Sequence, residues 1–330
     1  MKKKVGIPRA LLYYKYEAMW TTFFEELGAE VIISPETNKT IKDLAVRFAP
    51  DEDCYSTKLF FGHFLYLKDE VDFFFIPRFG SNHEDNVGCP KFLGLAQVLN
   101  SLYPDFPEII MPYYSKAKAN HGKRRLLRLI LEIGFKFTWN PLRILRAGKR
   151  AFKAQVEYEE QLYISEKHLK EWIKSQIVLN EKPNLENRNK PLKVALVGHR
   201  YVLNDDLSSL DIQENLAQKG VDIITSFQMP RCTIENQMNK LDYNLYFTDA
   251  REILGTITYF LENNTIDGIL QLAVFSCGLD SITLELAARY SRRQPETPLL
   301  QLVIDELTSE VGFGTRIEAF LDMIDRRELK

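Results

Sequence analysis

The sequence predicts an α/β protein of two domains, each a parallel sheet wound with helices, with a helical insert along the chain. Three observations predict it. Short apolar runs alternate with amphipathic stretches at the interval of βαβ units. One run, VDFFFIPRF, is too continuously apolar for a half-exposed strand and reads as one covered on both faces. The alternation also occurs twice, KVGIPRA matching KVALVGH, AEVIISP matching VDIITS, VDFFFIPRF matching DGILQLAVF, and EIIMPYY matching PLLQLVID.

The first domain is expected over 1–115. Its strand KVGIPRA leads into a helix over LLYYKYEAMWTTFFEELG, which Gly28 closes, and then into the strand AEVIISP. A helix from Thr40 to Phe48 follows, then one that begins at Cys54 in DEDCYSTKLFFGH. After VDFFFIPRF come the loop GSNHEDNVGCPK, another helix and the strand EIIMPYY. Residues 116–185 carry no strand signal and read as helix. Between Lys116 and Lys153 they are basic, with Lys123, Arg124, Arg125, Arg128, Arg143, Arg146, Lys149 and Arg150 against the single acid Glu132. That stretch is either a docking surface for an anionic ligand or acidic partner, or a solvated helical face. The polar NEKPNLENRNKPLK, with two prolines, reads as a linker into the second domain, 186–330. There the order is KVALVGH, a helix over SSLDIQENLAQKG, VDIITS, a polar helical stretch, DGILQLAVFSCG, the helix LDSITLELAARYSRR, PLLQLVIDE, and a last helix TRIEAFLDMIDRREL.

Composition narrows the function. A chain of 330 residues with 27% charged and 45% hydrophobic residues suits two ordinary globular cores. A net charge of −2 argues against general nucleic-acid binding. The N-terminal lysines are followed by an apolar stretch broken by Pro8, Arg9 and Lys15, so no signal peptide is expected. No apolar run approaches the roughly 20 residues that cross a bilayer, and a cytoplasmic location with reduced cysteines follows as the expectation. VGHRYVLNDD lacks the G-x-G-x-x-G spacing, so NAD or FAD is not expected.

The chemistry-bearing residues are three of the four cysteines. Cys54 in DEDCYSTKLFFGH, Cys89 in DNVGCPKFLG and Cys277 in AVFSCGLDS each stand where a strand or loop gives way to a helix. A helix N-terminus offers unpaired N–H groups and partial positive charge, which favour thiolate and hence metal ligation. Cys232, in QMPRCTIENQ, has no strand leading into it. There is no CxxC pair and no ferredoxin-like run, and buried cysteines also serve as small hydrophobes, so packing stands beside ligation as a reading. In an open sheet, ligands gather at the carboxyl ends of the strands, which directs Cys89 and Cys277 toward a cleft between the two domains.

The segments GIPRALLYY, DEDCYSTKLFFGH, the CPK from Cys89, VGHRYVLNDD, FSCGLDS, and IDE followed by GTRIEAF occur in an order that resembles the 2-hydroxyacyl-CoA dehydratase subunit superfamily, in its branch of uncharacterised acyl-CoA dehydratase activase-related proteins. The resemblance implies Rossmann-like domains and a 4Fe-4S cluster, or a related double-cubane cluster, on Cys54, Cys89 and Cys277. It implies low-potential electrons from an ATP-hydrolysing activase with its own 4Fe-4S cluster, and homo- or hetero-dimeric pairing. A CoA thioester is the substrate class implied, reduced to a ketyl radical that expels a hydroxyl, although relatives with double-cubane clusters reduce other small molecules. The chain departs in having GHRYVLN where the related proteins have a GHPYN-type turn, and in its basic helical stretch.

Around the cysteines, Lys58 and His63 on the Cys54 helix, together with Glu306, are the candidate catalytic residues, with His63 also readable as a packed structural residue. Arg9 and Arg78, each after a strand, and Arg316 are candidates for holding the cofactor or a charged ligand, against solvated strand ends and a Glu306–Arg316 pair as the plainer readings. The leading function is a cluster-bearing reductase or dehydratase component fed by an activase. A non-catalytic electron carrier or scaffold, and a cluster-free α/β binding protein, are the alternatives.

Overall fold

The computed structural model describes residues 2–81, 86–116, 122–174 and 191–328. It is α/β, and the chain divides into two compact units, Met1–Asp51 with Thr57–Gln161 and Tyr246–Thr248, and Glu52–Ser56 with Leu162–Leu245 and Asp249–Lys330. The stretch expected as a helical insert is shared between them. The linker NEKPNLENRNKPLK lies outside the described residues apart from its last few.

In the first unit, strands β1 (Lys4–Ile7), β2 (Glu30–Ile33), β3 (Phe73–Phe75) and β5 (Glu108–Ile110) form one parallel sheet in the order β2-β1-β3-β5. Between them come β4 (Arg78–Ser81) and, after β5, β6 (Tyr113–Ser115), which pair with each other in a separate parallel ladder. The expected single strands VDFFFIPRF and EIIMPYY are therefore each two. Pro77 and Pro112 stand at the breaks, where a residue without an N–H cannot continue a ladder. The helix Tyr13–Leu27 packs Tyr16, Trp20, Phe23, Phe24 and Leu27 onto Val5, Ile7 and Phe75. It ends at Gly28, whose φ of 86° is the left-handed closing residue. Two of the basic helices, Gly122–Gly134 and Pro141–Leu162, join this core through Ile133, Ile144, Ala147 and Ala151. Their charged faces point outward, with Arg150 bonded to Glu26 at 2.6 Å and Arg143 Nε to the Glu26 carbonyl at 2.9 Å.

The second unit repeats the first. Strands β7 (Leu192–Val197), β8 (Val221–Thr225), β9 (Gly268–Val274) and β10 (Leu299–Ile304) lie parallel in the order β10-β9-β7-β8. Counted within its own unit, each sheet has its first strand flanked by its second and third with the fourth at the edge, so the strand-for-strand match read from sequence holds in topology. All seven residues of β9 are buried, as a central strand between helical layers requires. The helix expected over SSLDIQENLAQKG is instead the short helices Asp206–Ser209 and Ile212–Gln218, because Leu210 and Asp211 both take left-handed backbone angles. Among the described residues no helix is long and apolar enough to cross a membrane.

Candidate functional site

In an open parallel sheet the crevice forms where the connections leaving two neighbouring strands diverge, at their carboxyl ends. In the first unit those ends belong to β1 and β3, and the space there is a small cavity lined by Pro8, Leu11, Trp20, Phe75, Ile76 and Pro77, among others. It is apolar and carries no reactive group. In the second unit the corresponding ends, of β7 and β9, carry His199 and Cys277.

The local sequence explains both placements. After β7 the chain passes the neighbouring strand so closely that a Cβ on Gly198 would stand 2.7 Å from the Leu272 carbonyl oxygen, and His199 follows at once. After β9, Ser276 takes a φ of 65°, unusual for a residue with a side chain, and the Cys277 N–H returns to the Val274 carbonyl at 3.1 Å. This tight turn sets Cys277 at the N-cap of the helix Gly278–Arg293, with its thiol at the positive end of a four-turn helix. Asp280, in the first turn of that helix, accepts the Val274 N–H through Oδ2 at 2.8 Å. Its other oxygen, Oδ1, lies 3.2 Å from His199 Nε2, both side chains being out of solvent at 1% and 0% exposure. The same nitrogen is 3.7 Å from Cys277 Sγ. The Tyr201 ring stacks on the imidazole at 4.9 Å and 9°.

Cys54 joins this group from far away in sequence. Glu52–Ser56 belongs to the second unit, and Ser276 Oγ donates to the Glu52 carbonyl at 3.0 Å, which ties the Cys54 segment to the Cys277 turn. Tyr201 feels both thiols. Burial raises its pKa well above the usual phenol range, and Cys277 and Cys54 add to the rise, with Asp249 and Asp280. Tyr55, beside Cys54, is likewise raised, by burial first and then by Asp205, Glu306 and Asp305. For His199, burial opposes the charge most strongly of the single causes. The Asp280 carboxylate and Cys277 together outweigh it, so the imidazole holds its proton well above its ordinary range.

The other expected residues are distributed as follows. Cys89 is in the first unit, half-buried at the N-cap of the helix Pro90–Leu102. Cys232 is exposed on the helix Arg231–Met238 and donates to Glu166 Oε1 at 3.2 Å, in surroundings unlike those of the other three. No disulfide links any of the four. Lys58 and His63 both lie on the helix Tyr55–Leu67 and are buried. His63 is fully enclosed, with Ser34 Oγ 2.9 Å from Nδ1 and Thr37 Oγ1 2.9 Å from Nε2. Burial, reinforced by the Arg9 charge, pushes its pKa down to about 3, so it is a neutral imidazole pinned by two hydroxyls. Arg9 pairs with Glu36 at 3.1 Å, and Arg78 donates to the Leu93 carbonyl at 3.1 Å while its guanidinium covers the Tyr113 ring. Glu306, just after β10, acts on Tyr55 and so belongs near the Cys54 segment, whereas Arg316 is exposed on the helix Glu310–Glu328.

Three residues of the site were not assigned from sequence, His199, Tyr201 and Asp280. His199 stands 78 positions from Cys277. The available signals were a Gly-His pair leaving a buried strand and an acid in the first turn of the Cys277 helix.

The chain belongs to the family described as the CoA enzyme activase uncharacterised domain (DUF2229), whose model matches residues 4–228. The match runs through Cys54, Cys89 and His199 and stops short of Cys277 and Asp280. None of the curated proteins matches the chain. Activase-related is thus the class of protein.

Proposed function

We propose that the protein is an iron–sulfur component of CoA-thioester chemistry, accepting low-potential electrons from an ATP-hydrolysing activase. The observation that carries the reading is that Cys277 stands at the carboxyl end of β9, the position where α/β sheets bind ligands, and that the hydrogen bond from Ser276 Oγ to the Glu52 carbonyl ties the Cys54 segment to the same turn. Membership of an activase-related family supports the same class.

What supports such a group is the local setting of the cysteines. Cys277 is buried at a helix N-terminus and Cys54 immediately precedes one. Cys89, also at an N-cap, is the third proposed ligand. When bound, a 4Fe-4S or double-cubane cluster supplies one-electron transfer, at a potential governed by burial and by hydrogen bonds to its sulfurs. The chain's own contribution is to hold the thiolates, to keep water from Cys277, and to surround the centre with fixed polar groups. Cys54, Cys89 and Cys277 would hold such a cluster, which would supply one-electron chemistry to a substrate oxygen. Glu306, whose charge acts on Tyr55, is the acid proposed to contact such a substrate. Pairing with a second subunit, like or unlike, belongs to the same reading.

The test is anaerobic reconstitution with iron and sulfide, dithionite reduction, and electron paramagnetic resonance. A reduced-cluster signal that disappears on adding a 2-hydroxyacyl-CoA supports a reductase or dehydratase component. A signal that persists with every thioester tried supports an electron carrier, and no signal at all removes the redox reading.

A further inference from the structure

We propose that the outward face of the helix Pro141–Leu162 is a docking seam for an amphipathic helix of an unlike protein, one whose apolar ridge is flanked by acidic residues. The inference is independent of the cluster reading and gives a use to the basic stretch that the cluster does not involve.

That helix has two apolar sides. On one, Ile144, Ala147 and Ala151 are buried in the core of the first unit, and Gln155 beside them donates to the Lys15 carbonyl at 2.8 Å. Roughly a third of a turn round, Leu142, Leu145, Lys149, Phe152 and Val156 form a second row that faces out, with Leu142 72% and Phe152 62% exposed. These positions are spaced alternately three and four residues apart, the period of a coiled-coil seam, over about 21 Å of helix axis. The core of the first unit does not use them. The helix Gly122–Gly134 runs alongside in the opposite direction, with Gly134 against Ile144 and Ile130 against Gly148, and it leaves Leu126 and Leu127 exposed as well.

The charges select the occupant. Arg143, Arg146, Lys149, Arg150 and Lys153 follow one another along the helix, with no acid between Pro141 and Val156. Arg143 and Arg150 turn to Glu26 and Lys153 reaches Glu157 at 3.2 Å, whereas Lys149 stands within the outward row, with Arg146 and Lys153 along its flank. A second copy would set this row against itself, and a two-fold contact then places cations opposite cations. A lipid surface takes a broad apolar face, but here the row spans only about 80° of the helix and has a lysine at its middle. A helix with apolar residues at the facing positions and Asp or Glu beside them meets both the spacing and the charge, and a single lysine in the seam fixes its register.

The experiment uses the full chain and two synthetic three-heptad peptides with leucine at both seam positions, one carrying glutamate and the other lysine at the flanking positions. Binding is read from the fluorescence anisotropy of the labelled peptides. The glutamate peptide is expected to bind and the lysine peptide not to bind. Leu145→Ser and Phe152→Ser, at exposed positions where folding is not at stake, each weaken binding at least about 10-fold, and Lys149→Glu does the same. Ile282→Ser, at a comparably exposed apolar position on the helix Gly278–Arg293, leaves binding unchanged. No binding of the glutamate peptide, equal binding of both peptides, or binding unaltered in Leu145→Ser and Phe152→Ser overturns the inference. Sedimentation of the chain with vesicles of phosphatidylcholine and phosphatidylglycerol, abolished by Phe152→Ser, also overturns it and makes the face lipid-binding. A dimer seen by light scattering that Phe152→Ser dissociates overturns it too, because a second copy is then the occupant. Bound iron is untouched by any of these results and tests the cluster reading separately.

Discussion

His63 provides a quantitative test of how the first unit is held together. Its imidazole is enclosed, bonded to Ser34 and Thr37, and has its pKa pushed down to about 3 by burial and by the Arg9 charge. In the unfolded chain the same group titrates near the ordinary value of about 6.5. The folded pKa is the lower one, so the unfolded state binds the proton first. Stability is therefore unaffected well above pH 6.5 and falls as pH drops toward 3. At pH 5 an unfolded His63 is almost fully protonated while the folded one is not, and the linkage relation makes the cost about 2 kcal/mol. The perturbation is His63→Gln, which keeps a polar group between the two hydroxyls and cannot titrate. Urea unfolding of both proteins at about pH 7.5 and about pH 5 separates this effect from the fixed cost of the substitution, roughly 1–3 kcal/mol for disturbed buried hydrogen bonds. Wild type should lose about 2 kcal/mol more than His63→Gln between the two pH values, since other titrating groups cancel in the difference. Equal losses would refute the neutral, structural histidine and return His63 to the list of groups able to move a proton.

Further outcomes follow from packing and caps. Ile144→Ala empties a fully buried site in the cluster that joins Pro141–Leu162 to Tyr13–Leu27, and should lower unfolding stability by about 2–5 kcal/mol; a loss under about 1 kcal/mol would mean that the basic helix is not part of this core. Gly28→Ala forces a side chain into a left-handed closing position and should cost about 1 kcal/mol in the same assay. Cys232→Ala, at an exposed position bonded to Glu166, should leave both stability and bound iron unchanged, as read by urea unfolding and iron content.

The fold was legible because its signals are local. Runs such as KVALVGH and DGILQLAVF are long and apolar enough to mark buried strands, and their repetition along the chain corresponds to two sheets of equivalent strand order. What was missed depended on single residues acting on the backbone. Pro77 and Pro112 cut two expected strands, and Leu210 with Asp211 broke a helix whose apolar spacing is continuous. The cysteine positions at Cys54, Cys89 and Cys277 were legible as helix starts, because capping is a property of a few consecutive residues. His199 and Asp280 were not, because their importance comes from β7 and β9 being neighbours in the sheet, and pairing order is not written in either strand alone. For His63, Arg9 and Arg78 the partners, two hydroxyls, Glu36 and the Leu93 carbonyl, lie in other segments and were likewise not legible.

The most direct measurement is iron and acid-labile sulfide per chain, with the visible spectrum, on protein prepared without oxygen, in wild type and in Cys54→Ala, Cys89→Ala, Cys277→Ala and Cys232→Ala. A three-cysteine centre predicts about four irons per chain, lost in the first three variants and retained in Cys232→Ala. Absence of iron from wild type after anaerobic reconstitution, or its equal retention in Cys54→Ala and Cys277→Ala, would contradict it.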